Sequence, residues 1–115
     1  MMQITDLDRN ITLADACRPA RTFWTRLRGL LGTQPLAPGQ ALLLEPCNSI
    51  HMFFMGYSID ALYLDAENRV LRVVPDLAPW RIGPTIGRAR RVLELPAGHA
   101  ARCGVQVGDR LAFDK

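Results

Sequence analysis

Apolar and polar residues alternate over much of the chain, and this pattern predicts a protein built mainly of β-strands. Residues 2–6 and 11–17 have the composition of short strands, and the second of them (ITLADAC) alternates in the way that a half-buried strand does. Further short apolar runs, bounded by turn-forming residues, predict strands at 41–45, 50–55, 59–64, 70–74, 91–95 and 110–113.

One stretch has the periodicity of a helix instead. From Ala20 to Leu31, apolar residues recur every three or four positions, as expected for a helix that buries one face. Pro19 suits the first position of such a helix, and Gly32 marks its end. Residues 97–103 predict a second, shorter helical turn.

The segment from Cys47 to Asp65 (CNSIHMFFMGYSIDALYLD) combines apolar runs with polar groups that could carry chemistry. The runs at 50–55 and 59–64 are separated by three residues, which is the spacing of a β-hairpin. The first run is apolar on both faces, which is typical of a central strand or of a cavity wall. In the simplest register His51 and Asp60 point to opposite faces, and a shift of one residue would bring them to the same face.

The elements together predict a mainly β (α+β) fold: a compact barrel-like or sandwich-like antiparallel domain with one amphipathic helix and a short helical turn. The turn at 65–68 ends in Asn68, which tolerates a left-handed backbone. Residues 75–87 hold three prolines and two glycines, so we expect a long loop there, with Trp80 as its large aromatic residue. A chain of 115 residues has room for one domain, which we assign to residues 1–115.

Composition and charge exclude several classes of protein. Hydrophobic residues make up 49% and charged residues 22% of the chain, which is typical of a globular protein. A net charge of +3 is too small to indicate nucleic-acid binding. Three cysteines without a C-x-x-C motif favour reduced thiols in the cytoplasm. The N-terminal residues lack the apolar core of a signal peptide, and the longest uncharged stretch around the 50–55 run, residues 46–59, is shorter than the ~20 residues of a membrane helix.

Several motifs occur in an order that resembles a prokaryotic family, domain of unknown function 192. The motifs span about residues 11–113 and are R-L-R-G-L-L-G at 26–32, I-H-M-F-F-M at 50–55, I-D-A-L-Y-L-D at 59–65, N-R-V-L at 68–71, V-L-E-L-P-A-G at 92–98 and V-G-D-R-L at 107–111. The resemblance implies a compact β-rich fold and brings no agreed activity, cofactor or catalytic residue. The resemblance also implies an exported or membrane-anchored protein, as many family members are. The residues of this chain instead predict a soluble, bacterial, cytoplasmic protein without a membrane span.

Two reactive arrangements are conceivable around the central segment. Cys47 as nucleophile, His51 as base and Asp60 as orienting group would suit a hydrolase or a transferase, if Cys47 is a reactive thiol. Alternatively, Cys47 and His51 could join His99 and Cys103 in a tetrahedral zinc site. The spacings typical of structural zinc, C-x₂-C and H-x₃-H, are missing. We therefore expect neither a catalytic set nor a metal or other cofactor.

The favoured hypothesis is a non-catalytic binding or accessory module for a protein partner or a small ligand, without nucleic acid. The binding residues predicted from the sequence are His51, Asp60, Asn48, Trp80 and Arg81. Trp and Arg in a long loop are typical of interface hot spots, although a solvated arginine surface is the simpler alternative. The carboxylate of Asp60 must be paired if it is buried, either with backbone amides of a neighbouring turn or with Arg26 or Arg28.

Overall fold

One curled sheet of seven strands and one short helix make up the part of the chain that the structure, a computed structural model, describes: residues 1–22 and 34–114. The elements in chain order are β1 (Met2–Asp6), β2 (Ile11–Ala20), β3 (Gln40–Leu44), β4 (Ile59–Leu64), β5 (Val70–Leu77), β6 (Arg91–Pro96), α1 (His99–Cys103) and β7 (Leu111–Asp114).

The strands follow the order β5-β4-β6-β3-β2-β1-β7 across the sheet. All neighbours are antiparallel except β2 and β3, which are parallel. The two edges of the sheet approach each other at one end, where the amide of Val70 donates to the carbonyl of Asp109 and the amide of Gly108 donates to the carbonyl of Val70, both at 2.8 Å. The sheet is therefore a half-barrel, and the predicted mainly β, barrel-like class is confirmed.

Two apolar layers cover the two faces of the central strands. The inner layer receives side chains from all seven strands and from α1. The outer layer covers β3, β4 and β6 on the other side and includes buried residues of the loops that precede β4 and β6. All six residues of β4 are buried, which is typical of a strand covered on both faces.

The prediction that Pro19 and Ala20 begin a helix is wrong, because both residues belong to β2. They pair in parallel with Leu43 and Leu44 of β3, and this long-range pairing leaves no trace in the local sequence. The rest of the predicted helix, from Phe23 onward, lies outside the described residues. The parallel pair also departs from the purely antiparallel sheet that the sequence favours.

The predicted hairpin between residues 50–55 and β4 is also wrong. Both edges of β4 are occupied: Leu62, for example, pairs with Val73 of β5 on one side and with Leu93 of β6 on the other. No edge remains for residues 50–55, which form a loop in which His51 makes an isolated bridge to Ile82. The other predicted strands and the turn at Asn68, with φ 63°, are confirmed, although β5 extends through Pro75 to Leu77.

Candidate functional site

Two loops on the outer side of the sheet are joined along their length by backbone hydrogen bonds. The first connects β3 to β4 (residues 45–58), and the second connects β5 to β6 (residues 78–90). Because each loop satisfies amides and carbonyls of the other, the pair forms one ordered unit. The joining bonds run from Cys47 N to Arg90 O (2.9 Å), Ile86 N to Asn48 O (3.0 Å), Gly83 N to Ile50 O (2.9 Å), Met52 N to Arg81 O (2.7 Å) and Trp80 N to Met52 O (2.7 Å).

The joined loops carry an exposed group of apolar and aromatic side chains, which we call the aromatic platform: His51, Phe53, Phe54, Trp80 and Ile82. The exposed fractions are 37% for Phe53, 75% for Phe54, 59% for Trp80 and 70% for Ile82. Ring centroids lie 5.0 Å apart for His51 and Phe53, 6.1 Å for Phe53 and Trp80, and 4.8 Å for Phe54 and Trp80. Clustered exposed apolar side chains of this kind mark interaction sites more often than scattered ones do.

Two residues of the aromatic platform have a left-handed backbone. Phe54 has φ 64° and Trp80 has φ 68°, a region that L-residues with large side chains rarely adopt. Each such residue costs on the order of 1 kcal/mol, so the surrounding hydrogen bonds must hold it in place. The carbonyl of Met52 provides this hold, since it accepts hydrogen bonds from the amides of both Trp80 (2.7 Å) and Met55 (3.2 Å). Strain of this kind is typical of functional sites.

The underside of the joined loops is anchored to the sheet. Ile50, Met52 and Met55 are buried in the outer apolar layer together with Tyr63 of β4. The hydroxyl of Tyr63 donates to the carbonyl of Pro84 at 2.7 Å, and burial raises the pKa of this phenol to about 12. The second loop approaches so closely that a Cβ at Gly83 would lie 2.8 Å from the Tyr63 hydroxyl.

Replacing Tyr63 by Phe removes the hydrogen bond to Pro84 and is expected to lower the free energy of unfolding by about 1 kcal/mol. Because the bond joins the second loop to β4, hydrogen exchange at the amide of Gly83 should accelerate more than at that of Leu93 in β6. Equal acceleration at both amides would show that this bond does not anchor the loop.

The joined loops are positively charged. Residues 46–58 and 78–90 contain no Asp or Glu, whereas Arg81, Arg88 and Arg90 are exposed on the second loop. Arg90 also lines a cleft of about 260 Å³ beside the seam between the loops, together with Pro46, Cys47, Asn48 and Ala89.

Glu45, the first residue of the first loop, is already paired with arginines outside the loops. Burial disfavours ionisation of Glu45, but hydrogen bonds from Arg21 (3.0 Å) and Arg91 (2.9 Å) hold the pKa of its carboxyl below the usual value. Glu45 therefore has little capacity left to neutralise the arginines of the second loop.

Four of the five binding residues predicted from the sequence lie on the joined loops: Asn48, His51, Trp80 and Arg81, all exposed. The fifth, Asp60, is fully buried on the inner side of β4. The structure therefore separates Asp60 from the surface that carries His51 and Trp80.

The carboxylate of Asp60 accepts three backbone hydrogen bonds. The donors are the amides of Asp76 (2.8 Å), Gly98 (3.1 Å) and Ala100 (2.9 Å), so one side chain joins β4 to β5 and to the start of α1. The expectation that a buried Asp60 would be paired is confirmed, with backbone amides as the partners. Arg26 and Arg28, the alternative partners, lie outside the described residues.

The Cys47 thiol and the His51 ring each form a hydrogen bond with a backbone group two residues further along the chain. The Cys47 thiol donates to the carbonyl of Ser49 at 3.1 Å, and the Nδ1 atom of His51 accepts from the amide of Phe53 at 3.2 Å. Asp60, the proposed orienting group, is on the other side of the sheet. The geometry therefore gives the Cys47/His51 hydrolase or transferase hypothesis no support.

The proposed zinc ligands are divided between two parts of the fold. His99 and Cys103 lie one turn apart on α1, with Nε2 and Sγ 3.6 Å from each other, because positions i and i+4 share one face of a helix. The Nε2 atom of His99 is also 2.7 Å from the carbonyl of Leu13. Within residues 1–22 and 34–114, no group of three or more His, Cys, Asp or Glu side chains is arranged to hold a metal ion.

Two buried carboxyl groups were not identified from the sequence. Glu94 in β6 is 6% exposed, its Oε1 atom has no hydrogen-bond partner in the described structure, and burial raises its pKa to about 7. Asp6 is fully buried, and burial and the neighbouring Asp109 carboxyl raise its pKa to about 6. A Glu inside the apolar run V-L-E-L at 92–95 is the signal that could have identified the first of them.

In the described part of the chain, no helix is long and apolar enough to cross a bilayer. A family model for domain of unknown function 192, described as "Uncharacterized ACR", matches residues 5–113.

Two of the relatives that match this chain are named as UPF0127 proteins. The relative from Pyrococcus horikoshii is 36% identical over 113 residues, which cover 96% of this chain and 97% of that protein. The relative from Thermococcus sibiricus is 32% identical over 99 residues, and the match covers 83% of this chain but 64% of the relative. Both organisms are archaea, so the expectation of a bacterial protein is too narrow.

Two solved structures share the fold. A protein of unknown function from Novosphingobium aromaticivorans superposes with a TM-score of 0.83 at 21% identity, over 96% of this chain and 82% of that one. A Sinorhizobium meliloti protein described as a candidate transcription regulator superposes with a TM-score of 0.79 at 24% identity, over 97% of this chain and 91% of that one. At these identities the likeness concerns the fold alone.

Proposed function

We propose that this chain, which belongs to the uncharacterised family named domain of unknown function 192, is a non-catalytic binding module. It recognises a protein partner through the aromatic platform. The observation that carries this proposal is the clustering of exposed apolar side chains on two loops that backbone hydrogen bonds hold together. Phe54 and Trp80 are more than half exposed although the fold has an apolar layer directly beneath them. Aromatic side chains of this kind are typical hot spots of protein interfaces.

A protein partner fits this surface better than a small ligand does. Small-molecule sites are concave and bury most of the ligand surface. The aromatic platform instead projects its side chains outward, with Ile82 70% exposed, and the cleft beside it is open along the seam. A partner that lays an apolar segment over the rings would bury them without requiring a cavity.

The proposal is tested by panning a random peptide display library on the purified protein and measuring the dissociation constants of the selected peptides. Combined replacement of Phe54 and Trp80 by Ala is expected to weaken binding at least 100-fold, since buried interface aromatics contribute about 2 kcal/mol or more each. Both side chains are exposed, so the free energy of unfolding should change by less than about 1 kcal/mol.

A matched control replaces Leu7 and Val107, which are also exposed apolar residues but lie in turns away from the joined loops. The variant with both residues changed to Ser should bind the selected peptides as the unmodified protein does. Peptides that bind equally to the Phe54/Trp80 variant, or lose affinity equally with the control, would refute the proposal.

A further inference from the structure

We infer that the partner presents a short acidic segment with a large apolar side chain, an inference that rests on the proposed function and specifies its partner. The apolar part follows from the aromatic platform. The acidic part follows from the charges of the loops that hold it, because their arginines form no ion pair in the described residues and residues 46–58 and 78–90 contain no Asp or Glu.

In the described chain, the three arginines of the second loop form no ion pair, whereas some arginines elsewhere do. Arg9 lies 2.7 Å from Asp109, and Arg91 lies 2.9 Å from Glu45. In contrast, Arg81, Arg88 and Arg90 are exposed, and none of them forms an ion pair within residues 1–22 and 34–114. Arg88 interacts with a carboxylate only at longer range, through its electrostatic effect on Asp65. They leave a positive surface that a partner carboxylate can complement.

The positive charge follows the seam between the two loops. Arg81 lies between Trp80 and Ile82 of the aromatic platform, and Arg90 lies at the other end of the seam, where its carbonyl accepts from the amide of Cys47. The four residues from Cys47 to His51 would span roughly 13 Å if fully extended, which is an upper bound for this bent loop. A partner segment of five residues or fewer therefore suffices to contact the rings at one end and Arg90 at the other.

The cleft at the Arg90 end favours a peptide over other occupants. Its lining includes both Arg90 and Asn48, whose exposed side-chain amide can donate to and accept from a peptide backbone. An anionic bilayer would also attract aromatic and arginine side chains, but three arginines supply only a weak attraction, and a lipid surface makes no use of a directional cleft. The electrostatic match to an acidic segment would also accelerate association.

The experiment uses the peptides selected on the full chain and sequences them. The selected pool should be enriched in Asp and Glu relative to the starting library. Combined replacement of Arg81, Arg88 and Arg90 by Gln should weaken the selected peptides at least 30-fold. An increase from 50 to 300 mM NaCl should weaken binding to the unmodified protein by at least tenfold and affect the triple variant much less.

The control replaces three exposed arginines elsewhere, Arg18, Arg102 and Arg110, by Gln, and affinity should stay within twofold. Peptides that require Phe54 and Trp80 but have no acidic bias and tolerate the loop variant would overturn this inference while leaving the proposed function intact. Failure to select any peptide would refute both. Sedimentation of the protein with phosphatidylglycerol vesicles but not with phosphatidylcholine vesicles would overturn the inference and indicate an anionic bilayer instead. Self-association that is lost in the Phe54/Trp80 variant would overturn it and indicate a second copy of this chain.

Discussion

Replacing Glu94 by Gln should raise the free energy of unfolding by about 3 kcal/mol at pH 8 and change it little at pH 4. Burial raises the pKa of this carboxyl from 4.5 to about 7, so the folded protein retains a proton that the unfolded chain releases first. The stability that the protonated group provides is complete below pH 4.5 and is lost as the pH rises through 7. Each unit of difference between the pKa values of the folded and unfolded states corresponds to about 1.4 kcal/mol in the free energy of unfolding. Gln has no carboxyl to ionise, so the variant does not lose this stability.

Urea denaturation of both proteins between pH 4 and pH 8 measures this effect. Asp6 also has a raised pKa and contributes its own loss of stability in this range, but it is present in both proteins and cancels in the difference. The exposed Glu67 provides the control, since its replacement by Gln should leave the curve unchanged. Parallel curves for the Glu94 variant and the unmodified protein would show that the Glu94 carboxyl is hydrated or paired.

The position of Glu94 connects its ionisation to the candidate site. Its side chain alternates with those of Leu93 and Leu95, which face the inner layer, and so points with Val92 into the outer layer. Tyr63, which holds the second loop, faces the same layer. A charge at Glu94 therefore weakens the layer on which the joined loops rest.

Replacing Asp60 by Ala should lower the free energy of unfolding by about 4 kcal/mol. The change removes a fully buried carboxylate and leaves the amides of Asp76, Gly98 and Ala100 without an acceptor. A buried unsatisfied amide costs about 1–3 kcal/mol, although partial relaxation and entering water reduce the sum.

Denaturant unfolding of the Asp60 variant tests this expectation. The exposed Asp114 at the end of β7 serves as the control, and its replacement by Ala should change the free energy of unfolding by less than about 0.5 kcal/mol. Asn at position 60 should be intermediate, since it keeps a carbonyl acceptor but turns an NH₂ group toward one of the amides. A loss below about 1 kcal/mol for the Ala variant would contradict the structural role of Asp60.

The sequence predicts most strands of this fold because their alternation is local, but it does not predict how they pair. The run at 50–55 has the composition of a strand, and it is excluded from the sheet only because β5 and β6 occupy both edges of β4. The left-handed backbone at Phe54 has no Gly or Asn to signal it. Likewise, Pro19 becomes part of β2 through a parallel partner that is distant in sequence.

The candidate site could be predicted in part. A Trp and Arg in a Pro- and Gly-rich loop correctly indicated an exposed segment with Trp80 and Arg81, because such composition resists regular structure. The sequence pattern predicts Phe53 and Phe54 in a strand that is apolar on both faces, whereas in the loop their side chains are exposed and Met52 and Met55 are the buried ones. Sequence alternation cannot make this distinction, since it depends on which backbone groups the second loop satisfies.

The role of the joined loops and their aromatic platform as the binding surface is tested most directly by a nuclear magnetic resonance titration. A peptide selected on the unmodified protein is added to the ¹⁵N-labelled chain, and the backbone amide shifts are mapped. We expect the largest shifts within residues 47–55 and 80–90, with little change at the turns around 6–10 and 104–110. Shifts concentrated at those turns, with the amides of Phe54 and Trp80 unmoved, would contradict a binding surface on the joined loops.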